Sequence, residues 1–483
     1  MTTRVVCVSN RVAIPRRGSA PGGLAVGVLA ALHQAGGGMW FGWGGDLSDE
    51  EPHEPEILIR DDVTYATIAL RRRDFEGYYN GYANSTLWPL FHYLMRSFRY
   101  AERQHDAYRA VNRTFAAHLV PLLQPDDLIW VHDYHLIPLA ECLRELAVTQ
   151  PIGFFLHIPF PHIEMLRVLP AYAELLRELV AYDVVGFQTE NDLRSFLAGI
   201  EYVWGRDAIT ADGRVTIGVR TIRTGVFPIG IDVAGVEAAA TAAAQGDAVK
   251  RLSASLLGRK LMVGVDRLDY SKGLIERFAA YQTFLESYPE NLGKITFMQV
   301  APLSRTDVRA YAEIRQTLEQ SAGRINGRFA DADWTPIRYL NRNVPHSALM
   351  GFLRAAQVAL VTPARDGMNL VAKEFVAAQD PADPGVLILS PLAGAARELS
   401  GAIQVNPYDA KGLAHAMQSA LAMPLAERRD RHAGMMEVLR RNDVAAWHKR
   451  FLAALKAGPA VSKVGGTPGE HNPFQELALR RRI

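Results

Sequence analysis

Cysteine is almost absent: two residues, Cys7 and Cys142, in a chain of 483. Two such distant thiols supply neither a disulfide framework nor a clustered metal site. Cys7, inside an apolar run, reads as a small buried thiol of a protein kept in a reducing cytoplasm. Charge of one sign is lacking as well. The 53 basic and 51 acidic side chains nearly cancel, so no global field draws the chain to nucleic acid or to an anionic membrane, and any anion site must be built locally. Long apolar runs are also missing. The compact one near the start, residues 24–32, falls well short of the roughly 18 residues that a spanning helix needs. The first residues do not resemble a signal peptide, because Arg4 and Arg11 bracket only a brief apolar stretch. What is present is 49% hydrophobic residues, ample for a soluble globular protein of roughly two to four domains.

Short apolar runs recur at 4–8, 128–131, 152–156 and 184–187, then at 261–265, 295–300, 358–361 and 386–389. Helical stretches such as 107–123 and 347–356 lie between them. This is the α/β pattern of parallel sheets covered on both faces, and two such series predict two doubly wound, Rossmann-like domains. The joint is expected near 229–236, where Pro228-Ile229-Gly230 precedes an alanine-rich stretch, which divides the chain into 1–230 and 231–440. A helix over 441–456 is expected to return to the first domain. Residues 457–483, rich in Gly, Pro and charge, read as a mobile tail.

In open parallel sheets ligands bind beyond the carboxyl ends of the strands. Five apolar runs end there in charge or imidazole: Ser9-Asn10-Arg11, His132-Asp133-Tyr134-His135, His157-Ile158-Pro159, Asp266-Arg267 on to Lys272-Gly273, and Ser304-Arg305. Arg267 and Lys272, five apart, would diverge on a regular helix, so a loop wrapping both around one anion such as a diphosphate is expected; a surface ion pair of Arg267 with Asp266 or Asp269 is the plainer alternative. Asp133 reads as an acceptor for sugar hydroxyls or as a buried helix cap. His132, Asp133 and His135 converge poorly for a metal, and Asp331 with Asp333 reads as a solvated turn, so no metal site is expected.

A tight turn follows the run 358–361: Arg365-Asp366-Gly367-Met368-Asn369-Leu370, leading into Val371-Ala372-Lys373-Glu374. Gly367 permits close backbone approach, the amides of a helix starting near Asn369 favour an anion, and Glu374 can accept two ribose hydroxyls. By itself the stretch reads equally as a nucleotide-sugar cradle or as a loop before a helix. Gly22-Gly23 is a weaker signal of the same kind, and Gly36-Gly37-Gly38 reads as the close of a helix. The aromatic segment Tyr78-Tyr79-Asn80-Gly81-Tyr82 with Trp88 suits a sugar face or core packing under a loop.

Taken in order from about residue 4 to residue 455, these motifs, with Phe155-Leu156-His157-Ile158-Pro159-Phe160-Pro161 and Gly186-Phe187-Gln188-Thr189, closely resemble the trehalose-6-phosphate synthases, retaining glycosyltransferases of family 20. The resemblance implies the GT-B fold, with an acceptor-binding first domain facing a nucleotide-sugar-binding second domain. It implies transfer of glucose from UDP-glucose to glucose 6-phosphate, without a cofactor or required metal, by a homo-oligomer, dimer or tetramer. Catalytic roles fall to Asp133, His157, Arg267 and Lys272. The donor is implied to lie against Gly22, Gly23, Arg267, Lys272 and the stretch from Asp366 to Glu374, and the acceptor against Arg11, Tyr79, Trp88, Asp133 and Arg305. Arg11 and Arg305 would clamp the acceptor phosphate from opposite domains. The implied mechanism is front-face substitution with no protein nucleophile.

One departure is Val344, where related chains can carry an aromatic residue beside the nucleotide base, so ADP-glucose and GDP-glucose stay open as donors. A relative using another phosphorylated acceptor, such as glycerol 3-phosphate, and a catalytically silent sugar-phosphate sensor are the competing functions.

Overall fold

In Val5-Val6-Cys7-Val8 every side chain is buried, Val5 and Cys7 against one apolar cluster and Val6 and Val8 against another. A strand sends successive side chains to opposite faces, so such a run forms only where both faces are covered. The computed structural model describes residues 3–14, 23–50, 53–303 and 309–458.

Among these residues two sheets form. The first contains β1 (Val5–Arg11), β2 (Gly38–Ser48), β3 (Glu56–Arg60), β4 (Val63–Arg71), β5 (Leu128–His132), β6 (Ile152–Phe155), β7 (Val184–Phe187), β8 (Val215–Ile217) and β9 (Arg220–Val226). Their order is β3-β4-β2-β1-β5-β6-β7-β9-β8, parallel except for the hairpins β3/β4 and β8/β9. The second contains β10 (Lys260–Val265), β11 (Ile295–Val300), β12 (Ile337–Leu340), β13 (Val358–Val361), β14 (Val386–Leu389) and β15 (Ile403–Gln404), all parallel, in the order β12-β11-β10-β13-β14-β15. Strand order reverses between β1 and β5 in the first sheet and between β10 and β13 in the second. Each reversal opens a crevice at the strands' carboxyl ends.

The eight apolar runs are all strands. β2, β3, β4, β8, β9, β12 and β15 are strands that no such run marked. Gly36 and Gly37, with φ of 77° and 110°, do close the helix Gly23–Gln34, but Gly38 already belongs to β2. Glycines 42, 44 and 45 break the apolar pattern of β2; at Gly42 a Cβ would lie 2.1 Å from the Ser9 carbonyl.

The helix Val444–Lys456 lies against the first sheet. Trp447 and Phe451 pack on Trp130 with ring centroids 4.9 and 4.6 Å apart, and both also meet Phe155. They join one apolar cluster that runs from Val5 and Cys7 to Val263 and Val361, so core residues of both sheets share it. Cys7 is fully buried, and burial pushes its thiol pKa far up. Among the described residues no helix is long and apolar enough to cross a membrane.

Candidate active site

The first crevice is edged by the ends of β1, β5 and β6. Arg11 is exposed and lies over Trp43, 5.3 Å from the ring centroid, while Asn10 accepts a 2.7 Å hydrogen bond from the Tyr78 hydroxyl. Asp133 follows β5 with φ 77°, a left-handed conformation that an aspartate holds only when its surroundings enforce it. Its Oδ1 accepts the His157 amide at 3.2 Å, and it makes no side-chain cap to the following turn, so the helix-cap alternative is not realised. His157 and His132 meet ring to ring, Nε2 to Nδ1 at 3.2 Å. Burial lowers both pKa values, that of His157 to about 3, so the pair is neutral near pH 7 and one ring donates to the other.

The aromatic segment is not a loop. Residues Glu76–Leu87 form a π-helical stretch leading into the short helix Trp88–Phe91. Gly77 and Gly81 let it press on the helix Glu102–Leu119; a Cβ at either would lie 2.6 Å from Ala107 or Gln104. Tyr78 and Tyr82 are core residues. Tyr79 is half-buried and sandwiched between Phe75 and His135, with centroids 5.0 and 5.6 Å away. Trp88 is buried, with the Arg267 guanidinium 5.9 Å from its ring centroid.

The second crevice lies between β10 and β13. Asp266 accepts from buried Arg277 at 2.6 Å, and Asp269 accepts from the Ser271 amide and the Tyr311 hydroxyl, each at 2.9 Å. Both carboxylates thus serve the scaffold, and exposed Arg267 pairs with neither among the described residues. Lys272 Nζ reaches Asp366 Oδ2 at 2.5 Å, and that oxygen also accepts from Asn369 Nδ2 at 3.0 Å. Burial works to raise the Asp366 pKa, but the Lys272 ammonium outweighs it and holds the carboxyl below its usual range.

Asn369, with φ 76°, caps the helix Leu370–Ala378 through the Ala372 amide. The amides of Leu370 and Val371, at the first turn, have no partner within the helix. Glu374, half-buried one turn further, has a pKa pushed up to about 7 by burial. The side chain of Lys373 is a correction: it is fully buried and bound to Glu398 Oε2 at 2.5 Å and to the Ile229 carbonyl at 2.7 Å, so it faces the joint between the sheets and only its main chain can serve a donor. Ala372 is likewise core, and Val344 packs on the central apolar cluster.

The two crevices face each other across one cleft. At Gly367 a Cβ would stand 2.1 Å from the His157 carbonyl, and at Gly394 one would stand 2.0 Å from the Gly367 carbonyl. The turn is therefore held between a first-sheet strand exit and the loop after β14, and only glycine fits. Arg365 lies over the Tyr93 ring at 4.0 Å, a second contact across the cleft besides Trp88 with Arg267.

The family model for glycosyltransferase family 20 matches residues 14–457. The chain belongs to glycosyltransferase family 20. It is 48% identical over 455 residues to a trehalose-6-phosphate synthase of Cronobacter sakazakii, an alignment covering 94% of this chain and 95% of that one. Its structure matches a UDP-forming α,α-trehalose-phosphate synthase from Burkholderia vietnamiensis with TM-score 0.92 and 50% identity, over 96% of this chain and 99% of the other. A second such synthase, from Burkholderia xenovorans in complex with glucose 6-phosphate, matches with TM-score 0.91 and 49% identity, over 94% and 100%. The facing α/β sheets are accordingly the GT-B fold of family 20.

Of the expected family 20 site residues, Gly22 and Arg305 lie outside the described residues, and Gly23 opens the helix Gly23–Gln34. His92 and Tyr93 at the cleft were not anticipated, nor was the contact of Arg365 with Tyr93. His92 is buried, its pKa lowered to about 4 by burial, and Asp269, Asp366 and Lys272 all act on it electrostatically. The one signal for it was its place directly after the Trp88-Pro89-Leu90-Phe91 segment. His132 and His135 do not converge: His132 bonds His157 while His135 stacks on Tyr79. Asp333 pairs with Arg259 in an exposed turn. Among the described residues no group of three His, Cys, Asp or Glu side chains could hold a metal ion.

Proposed function

We propose that this chain transfers a glucosyl group from UDP-glucose to glucose 6-phosphate with retention, giving trehalose 6-phosphate and UDP. The observation that carries the reading is the meeting of two strand-order reversals across one cleft. One brings Arg11, Asp133 and His157, the other Arg267, Lys272 and the helix-start amides at 370 and 371. The names of relatives about half identical over nearly the whole chain supply the substrates.

In this reading the bond between the glucosyl anomeric carbon and the diphosphate breaks as the acceptor oxygen bonds to that carbon on the same face. The acceptor proton passes to the departing phosphate oxygen. Arg267 and Lys272 stabilise the charge that develops on the diphosphate, which is where fixed cations accelerate cleavage. The His157 carbonyl, pressed against Gly367, and Asp133 orient the sugars. Asp133 and Asp366 are each engaged, by the His157 amide and by Lys272 with Asn369, which favours a route without a carboxylate nucleophile. Arg11 with Arg305 binds the acceptor phosphate, while Tyr79 and Trp88 flank its ring. The domains act as 1–230 for acceptor and 231–440 for donor, with 441–456 fastened to the first. The enzyme works in the cytoplasm as a homo-oligomer on small-molecule substrates alone, without a resident cofactor or metal.

The test is product analysis by NMR after mixing the protein with UDP-glucose and glucose 6-phosphate in chelator, beside ADP-glucose, GDP-glucose and glycerol 3-phosphate reactions. An α,α-1,1-linked disaccharide phosphate from the UDP-glucose pair is expected. Binding without transfer in every pair would make the chain a sensor, and transfer only to glycerol 3-phosphate would replace the acceptor.

A further inference from the structure

β3 is the outermost strand of the first sheet. It pairs on one side with β4, from Glu56 opposite Thr67 to Arg60 opposite Val63, through the two-residue turn Asp61-Asp62. Both turn residues have positive φ, 49° and 62°, the hairpin geometry that keeps two strands closely twisted together. All five residues of β3 are exposed, with Ile57, Leu58 and Ile59 at 50%, 41% and 71%. Edge strands are normally kept from pairing by proline, lysine, a bulge or short length. Two of the other edge strands are shorter still, β8 with three residues and β15 with two, while no residue of the third, β12, is exposed. β3 is preceded by Pro55 and ends in charge at Glu56 and Arg60, but its three central residues, all apolar and exposed, carry no such device.

Its sequence, Glu56-Ile57-Leu58-Ile59-Arg60, is complementary to itself when reversed. In an antiparallel pair centred on Leu58, Glu56 of each copy stands opposite Arg60 of the other and Ile57 opposite Ile59. Ile57 and Ile59 share one face of the strand and Leu58 the other, so four isoleucines would line one face of the paired ribbon and two leucines its reverse. Opposite charges and β-branched side chains directly across from each other are the pairs that stabilise antiparallel strands. We propose that β3 is a dimerisation strand that pairs with β3 of a second copy about a two-fold axis at Leu58, continuing one sheet through both molecules. The strand is separated from β1 by β4 and β2, so the cleft of each copy stays open to substrates.

The test uses the full chain in sedimentation velocity over a range of concentrations, with transferase activity per chain as the check on folding. The unaltered chain is expected to sediment as a dimer or a multiple of it. Ile59→Lys and Glu56→Arg, the latter setting like charges opposite each other at both ends, should each raise the dissociation constant about tenfold or more, with activity per chain retained. The double exchange Glu56→Arg/Arg60→Glu should restore association. A chain that is monomeric throughout, or an assembly that neither single substitution weakens, would overturn the proposal. Dissociation by both single changes without recovery in the double exchange would overturn the two-fold register.

Discussion

At the scale of single residues, the site separates charges held by the scaffold from charges left for ligands. Asp266 and Asp269 are fully committed to neighbours, while Arg267 a few atoms away has no carboxylate partner among the described residues. Arg267→Ala is expected to lower kcat about a hundredfold or more and to weaken donor binding, whereas Arg11→Ala should chiefly raise the KM for the acceptor. Steady-state kinetics with both substrates varied checks this, and the opposite pattern would mean that the two phosphate sites are exchanged. Glu374 yields a pH signature. Its pKa is raised from an ordinary 4.5 to about 7, so its contribution to folding stability is present below about 4.5 and lost as pH rises through 7. Donor binding has the opposite sense, because ribose hydroxyls donate to the ionised carboxylate. UDP affinity should therefore rise by at most about tenfold per pH unit up to about 7 and then level off. Calorimetric titration across pH reads this dependence, which Glu374→Gln should abolish.

At the scale of elements, the helix Leu370–Ala378 serves two masters through adjacent residues. Its first turn faces the cleft, while Lys373 ties it to the Ile229 carbonyl and to Glu398, which in turn accepts from Asn442 at 2.9 Å. Both chain crossings between the sheets are packed at that point: a Cβ at Gly230 would lie 2.2 Å from the Asn442 carbonyl, and the Val444 amide donates to the Ile231 carbonyl at 3.1 Å. Lys373→Met would leave Glu398 and a carbonyl without their cation, so a loss of about 3 kcal/mol in chemical denaturation is expected, with UDP affinity changed far less. The sequence placed this helix and its start at Asn369. It did not show which way Lys373 turns, because both the cleft and the joint lie one helix face away, and only packing chooses between them. β2 and β4 were similarly hidden: glycines in β2 and Thr64 and Thr67 in β4 dilute the apolar signal, and burial against neighbouring strands supplies what composition did not.

At the scale of the whole molecule, the cleft includes one close backbone approach between its two sides, in addition to the shared core and the contacts of Arg267 with Trp88 and Arg365 with Tyr93. Gly367→Ala would push a Cβ to within 2.1 Å of the His157 carbonyl unless the sheets part. Because the strain falls between domains and not within either core, thermal unfolding should move little while kcat falls about a hundredfold, the penalty of an ångström-scale misplacement of reacting groups. Calorimetry beside kinetics distinguishes this outcome from general destabilisation.

The sequence by itself determined eight of the parallel strands and which strand exits carry charge, since those follow from side-chain period and from residues set next to apolar runs. It also determined the family, through the order of the motifs. Only the tertiary structure decided that Arg267 is left without an acidic partner among the described residues, that Lys373 faces the joint, that Gly367 abuts His157 and that β3 lies open at an edge. Each of these depends on which surfaces meet across hundreds of residues, and no local pattern encodes such a meeting.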